Sequence, residues 1–184
     1  MIPVPVTHTV KLRNMENFLA FAPDGCVVEV GVYQGGSLYY LASRFPNRMF
    51  YGYDTFEGMP EACAEDNYHR QGDFLSSLEY VTDAVSGLGN VHLVKGCYPE
   101  SDTIHPQPIA LAHVDVDLYS STLNSLRHLW PLITPGGRIY CDDAFVNTCA
   151  GATKAFLQFC SEMLMPHFLD LTDGYLHGYL MKLT

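Results

Sequence analysis

An α/β fold, with a mostly parallel sheet and helices on both faces, is what this sequence predicts, and three observations carry the prediction. Short apolar runs alternate with segments of helical spacing along most of the chain, the order that right-handed crossovers fold into a parallel sheet. The first run, Cys26 to Gly31, opens into a glycine turn at Gly31 to Gly36 and then a helix. Only a short turn carrying Asp173 and Gly174 separates the last two runs, Phe168 to Leu171 and Tyr175 to Lys182, so these two pair as an antiparallel hairpin.

The chain has 184 residues, enough for one buried core and too few for two ordinary domains, so residues 1–184 are expected to form a single domain. Hydrophobic residues at 48% against charged residues at 16% describe a globular protein rather than a disordered one. A formal net charge of −10, with no local run of Lys or Arg, repels phosphate backbones and argues against a nucleic-acid partner. The six cysteines form no CxxC pair and read as reduced, packed thiols. The opening MIPVPVTHTV has no basic and then apolar leader pattern, and no apolar run approaches the roughly 18 residues of a membrane span. A cytoplasmic protein with no membrane segment is therefore expected.

The elements follow in order. Met1 to Thr9, with Pro3 and Pro5, reads as an extended arm, and Val10 to Phe21 as a short helix with Leu12, Met15, Phe18 and Leu19 on one face. After the first strand and the glycine turn, a helix is expected from Ser37 to Phe45 and a second strand from Met49 to Tyr53, ending at Asp54. Thr55 to Phe74 is a long polar connection, the kind that is functional or mobile in a small domain. A helix from Phe74 to Val85, a turn at Gly87 to Asn90 and a third strand at Val91 to Val94 come next. A second loop with three prolines leads to the fourth strand, around Leu111 to Val114. Leu118 to Ile133 reads as a helix, capped at its start by Ser120 and Ser121 and ended by Pro135, Gly136 and Gly137. Arg138 to Cys141 is a fifth strand, and Ala150 to Met165 the last helix.

In such a sheet ligands bind beyond the carboxyl ends of the strands, near the point where strand order reverses. Glu29, Gly31, Tyr33, Gly35 and Ser37 belong to the first strand end and its turn. Either the turn lets a ligand approach the backbone, with Glu29 placed to bind an ammonium group, or it is a plain tight connection. The GxGxxG dinucleotide pattern is absent, since its second glycine falls at Tyr33. Asp54 lies 54 − 31 = 23 residues past Gly31, a spacing suited to ribose hydroxyls, and Phe56 is then placed beside a flat base. No GxxxxGK[ST] loop and no basic residue in these turns offers to neutralise a pyrophosphate. A cofactor with a ribose and an amine but no phosphate fits, and S-adenosylmethionine is such a molecule.

Asp115 ends the fourth strand and Asp142 and Asp143 the fifth. Three carboxylates without a histidine pair suit a hard cation such as Mg²⁺, which prefers oxygen ligands, or else Asp142 and Asp143 cap the next helix or stay solvated. Asp117 lies two residues past Asp115 and shares its face if the strand continues, so one can hold metal while the other takes a proton.

The stretches EVGVYQGGS, YGYDTFEGMPE, VKGCYPES, HVDVDLYSSTLNSL, LITPGGRIYCDDA and GATKAF occur in order between Val27 and Phe159. Together they resemble the macrocin O-methyltransferase (TylF-type) family of S-adenosylmethionine-dependent enzymes. The resemblance implies a class I methyltransferase fold with a seven-stranded sheet, and Mg²⁺-dependent methylation of a sugar or other small-molecule hydroxyl. It also implies Asp115, Asp142 and Asp143 as metal ligands and Asp117 as the general base. Glu29, Gly31, Tyr33, Gly35, Ser37, Asp54, Phe56 and Asp115 would line the cofactor site, with Asp73 and Gly96 added to that set. Familiar members carry a longer N-terminal region over the substrate, whereas about 25 residues precede the first strand here. Cover is then expected from the Thr55 to Phe74 loop or from a second subunit of a homo-oligomer. The rival readings are a noncatalytic relative that kept the cofactor pocket and a nicotinamide oxidoreductase on the same sheet.

Overall fold

The computed structural model describes residues 3–5, 7, 9–106, 108–164, 166, 168–172 and 175–183. Residues 1, 2, 6 and 8 of the expected arm, and the expected Asp173 and Gly174 turn, lie outside the described residues. The elements are α1 (Thr9–Leu19), β1 (Cys26–Val30), α2 (Gly36–Arg44), β2 (Phe50–Asp54), α3 (Leu78–Val85), β3 (Val91–Lys95), β4 (Ile109–Val114), α4 (Tyr119–Leu129), β5 (Ile133–Cys141), α5 (Ala150–Glu162), β6 (Phe168–Thr172) and β7 (Tyr175–Met181).

The strands form one seven-stranded sheet in the order β3-β2-β1-β4-β5-β7-β6. Strands β1 to β5 run parallel, and β7 runs antiparallel to both β5 and β6. This is the predicted architecture, hairpin included. The order reverses between β1 and β4, so the crossovers from these neighbours leave in opposite directions and open a crevice above their C-terminal ends. Every residue of β4 is buried, because helices cover both faces. Leu126, Leu129, Phe156 and Phe159 pack from α4 and α5 on one face. Met15, Leu38, Leu41 and Val81 pack from α1, α2 and α3 on the other. Each such side chain contributes about 1.5–3 kcal/mol by leaving water.

Three boundaries differ most from expectation. Helix α3 starts at Leu78, not Phe74, because Ser77 is extended and its Oγ accepts the Tyr80 N–H at 3.1 Å. Helix α4 ends at Leu129 and tightens into a 3-10 turn at Trp130–Leu132, where Pro131 has no N–H to continue the ladder. Pro135, Gly136 and Gly137 do not end that helix; they form an irregular start to β5. Gly136 has φ +81°, its N–H donates to the Lys182 carbonyl, and register jumps from Ile109↔Ile133 to Leu111↔Arg138. No helix of the described residues is long and apolar enough to cross a membrane.

Candidate active site

The C-terminal ends of β1, β2, β4 and β5 open onto one cavity of about 740 Å³. At its floor Gly31 leaves β1 with φ +90°, and a Cβ there would lie 1.7 Å from the Asp115 carbonyl oxygen. Only glycine lets the exits of β1 and β4 cross so closely. Asp54, at the end of β2, locks the turn: Oδ2 accepts the N–H groups of Val32 and Tyr33, both at 2.8 Å, and Oδ1 accepts the Phe56 N–H at 2.7 Å. These are charge-assisted bonds, so the turn is fixed before any ligand arrives.

Of the sequence-predicted cofactor residues, Gly31, Tyr33, Ser37, Asp54, Gly96 and Asp115 line the cavity, and Glu29, Gly35, Phe56 and Asp73 do not. Glu29 is 1% exposed beneath the turn, where it accepts the Ser37 hydroxyl and faces His113 Nδ1 at 3.8 Å. Phe56, expected beside a flat base, is instead buried in the apolar cluster under α2. The ring that reaches the cavity is Phe74, set edge-on to Tyr33 with 5.5 Å between centroids. Asp73 accepts the Arg70 N–H at 2.8 Å and stands behind His69.

The pairing Val114↔Cys141 brings Asp115 and Asp142 side by side just past the ends of β4 and β5. Asp115 and Asp117 do not share a strand face as expected. The chain turns at Val116, whose carbonyl accepts the Leu118 N–H, and Asp117 sits at φ +57°. Its N–H donates to Asp143 Oδ2 at 2.7 Å, so the two carboxyl-bearing turns are tied together.

The carboxylates also have basic neighbours that sequence reasoning missed. Lys11 Nζ lies 2.6 Å from Asp142 Oδ2, and His113 Nε2 lies 3.3 Å from Asp142 Oδ1. Burial pushes the Asp142 carboxyl up, but His113 and Lys11 outweigh it and hold the group down at about 2. Burial, then the negative charge of Asp142, drives Asp115 well above the usual carboxylate range. Burial, then Asp115 and Asp117, does the same to Asp143. Asp117 is raised by burial, against the opposing pull of Cys149 and His69. His113 left a readable signal, since a residue two before Asp115 on one strand shares its face. Lys11 left none, because 131 residues separate it from Asp142.

The Thr55 to Phe74 loop covers the mouth. Met59 N–H donates to the Asp73 carbonyl at 2.8 Å and Gly72 N–H to the Met59 carbonyl at 3.0 Å, which ties the loop's two ends. Its middle crosses to the far helices, where Asp66 Oδ1 accepts the Tyr119 N–H at 2.8 Å. That bond caps α4, in place of the expected Ser120 and Ser121; the cap position, Leu118, has no side-chain bond of its own. Gly151 of α5 leaves the room, since a Cβ there would fall 1.9 Å from Asp66 Oδ1. From the same loop His69 reaches Asp117, with Nε2 3.4 Å from Oδ1. The arm and α1 also contribute to the wall, as Val4, Thr7 and Lys11 line the cavity.

The sequence model of the macrocin-O-methyltransferase (TylF) family matches residues 11–164. The chain belongs to this family. It is thus an S-adenosylmethionine-dependent O-methyltransferase, in agreement with the expectation drawn from its motifs and against the nicotinamide reading. Among its curated relatives is the 8-demethyl-8-(2,3-dimethoxy-alpha-L-rhamnosyl)-tetracenomycin-C 4'-O-methyltransferase of Streptomyces olivaceus, 30% identical over 179 residues that span 82% of this chain and 68% of the relative. Mycinamicin III 3''-O-methyltransferase of Micromonospora griseorubida is 26% identical over 82% of this chain and 70% of its own length. Among solved structures, the O-methyltransferase NovP superposes with a TM-score of 0.79 at 23% identity, covering 94% of this family member and 79% of NovP, a likeness of fold.

Proposed function

We propose that this family member methylates a hydroxyl of a sugar or similar small molecule, with Asp117 as the base and with Asp115, Asp142 and Asp143 holding a divalent cation. The observation that carries the reading is the convergence of these four carboxylates on one wall of the cavity that Gly31, Tyr33, Ser37 and Asp54 also line. The donor set suits S-adenosylmethionine: Lys11 is the single Lys or Arg along the described wall, and it is already paired with Asp142, so no cation waits for a phosphate. Asp54, Tyr33 and Phe74 offer a carboxylate and aromatic edges to a nucleoside. A volume of about 740 Å³ falls within the range of small-molecule sites.

The carboxylates suit a hard cation as well. Asp115 and Asp143 are crowded by negative neighbours, a repulsion that a divalent ion relieves. Asp142 shares its oxygens with Lys11 and His113, so a cation there shares that residue or displaces Lys11. When bound, the ion supplies Lewis-acid lowering of the acceptor hydroxyl's pKa, and the cofactor supplies the electrophilic methyl. The protein's own part is positioning and proton removal. Asp117 is held by its N–H bond to Asp143 and by His69, with its carboxyl raised by burial, which makes the carboxylate a stronger base. The hydroxyl as acceptor group follows from the names of two relatives, one a methyltransferase of a rhamnosyl tetracenomycin and one of mycinamicin III.

Turnover of Asp117→Asn on a panel of deoxysugar glycosides is expected to drop about 10²–10⁴-fold, with S-adenosylhomocysteine affinity unchanged by calorimetry. Full kcat in that variant removes the base. For the cation, Asp115→Asn and Asp143→Asn are expected to lose Mg²⁺ stimulation, and unaltered metal dependence removes that part.

A further inference from the structure

We propose that His69, Asp117 and Cys149 form a three-ligand site for a borderline-soft divalent cation of the Zn²⁺ type, chemically distinct from the all-oxygen set of Asp115, Asp142 and Asp143. His69 Nε2 lies 3.4 Å from Asp117 Oδ1, Cys149 Sγ lies 3.3 Å from the same oxygen, and Sγ and Nε2 are 3.6 Å apart. A tetrahedral zinc ion bound to one nitrogen, one oxygen and one sulfur at about 2.0–2.3 Å holds them about 3.3–3.6 Å from one another. The donors therefore stand close to ligand spacing already.

They come from three separate segments: the loop over the mouth, the turn after β4, and the residue before α5. All three line the cavity, which gives an ion an entry path and an open fourth position. Behind the imidazole, Nδ1 faces Asp73 Oδ2 at 3.9 Å, the side from which a carboxylate orients a zinc-binding histidine. Imidazole with thiolate favours zinc over magnesium, so the two sites sort cations by ligand softness. Binding releases the Cys149 thiol proton to solvent and leaves a thiolate on the metal. Cys149 has no part in methyl transfer as derived above, and this assigns it one. Occupancy takes up the Asp117 carboxylate and so blocks methylation; that consequence rests on Asp117 as base, whereas the site itself does not.

The test is a Co²⁺ titration of metal-free protein in excess Mg²⁺. One equivalent is expected to give a thiolate-to-cobalt charge-transfer band with the visible bands of four-coordinate cobalt, both bleached by Zn²⁺. Cys149→Ser is expected to lose the charge-transfer band, and His69→Ala to bind Zn²⁺ at least ~10-fold more weakly, each with wild-type circular dichroism. Absence of the band in the wild type overturns the site, as does its persistence in Cys149→Ser, which moves binding to another thiol such as exposed Cys97. Zn²⁺ that binds at His69 and Cys149 without slowing turnover supports the site and overturns Asp117 as base.

Discussion

Lys11 of the first helix places its ammonium 2.6 Å from Asp142 Oδ2, with both side chains almost wholly buried. The same nitrogen donates to the Asp142 carbonyl at 2.6 Å. A helix that precedes the sheet thereby supplies a fixed positive charge to the carboxylate cluster, at the place where a divalent cation would add its own. Lys11→Met strips the cluster of that charge. Losing one partner of a buried pair costs about 3–5 kcal/mol. The variant is expected to melt lower than wild type and to regain more stability than wild type on adding Mg²⁺. Thermal denaturation with and without Mg²⁺ checks this, and equal Mg²⁺ shifts in both proteins would show that Lys11 and the ion do not compete.

Asp54 acts on the cofactor pocket through the backbone of its neighbours. Asp54→Ala removes the acceptor for three amides, and a single charged hydrogen bond is worth about 1.5–3 kcal/mol. S-adenosylhomocysteine affinity is expected to fall about tenfold or more, with Asp54→Asn between the two. Calorimetry reads both, and wild-type affinity in Asp54→Ala would mean the turn keeps its shape without the carboxylate.

Gly151→Ala tests the cover. The new methyl would overlap Asp66 Oδ1 and push it off the Tyr119 N–H, at about 1 kcal/mol for a lost helix cap. Faster amide exchange across residues 55–74 and a higher KM for the acceptor are expected. Unchanged exchange in that loop argues that Asp66 does not pin it.

Asp102 is a buried carboxylate outside the reacting cluster that supports two aromatic residues of the cavity wall, Tyr53 directly and Tyr98 through His128. It accepts the Tyr53 hydroxyl at 2.7 Å and the His105 N–H at 2.9 Å, and His128 Nε2 lies 3.0 Å away. Tyr98 packs edge-on against the His128 ring. Burial pushes the Asp102 carboxyl up, but the bonds from Tyr53, His105 and His128 outweigh it and leave it below the usual range. A group lowered in the folded state contributes stability that is complete above its unfolded pKa, about 3.9, and is lost as pH falls through the folded value. The Asp102 contribution is expected to fade as pH falls below about 5, so Asp102→Asn is less stable than wild type at neutral pH and the gap between them closes in acid. Parallel curves from urea titrations at each pH would remove Asp102 from the acid response.

The alternation of strands and helices, the glycine turn after Val30 and the closing hairpin were legible because each rests on local spacing. So were Asp54, Asp115, Asp142 and Asp143 as strand-end carboxylates at one mouth. Phe56 was misplaced because an aromatic residue after a strand end can turn into the core or away from it, and a φ of +51° turned this one inward. Asp117 was placed by counting along an extended strand, which fails once the chain bends at Val116.

The sequence by itself determined the fold, the family and the end of the sheet where chemistry gathers, since periodicity and motif order are properties of neighbouring residues. The tertiary structure alone decided the partners of the carboxylates: Lys11 on Asp142, His69 and Cys149 on Asp117, Asp66 on the start of α4. These pairs lie 131, 48, 32 and 53 residues apart. Such contacts follow from how crossovers lay loops over the sheet, a geometry that no spacing along the chain encodes; Lys11 lowers the Asp142 carboxyl, and His69 and Cys149 oppose the rise of Asp117.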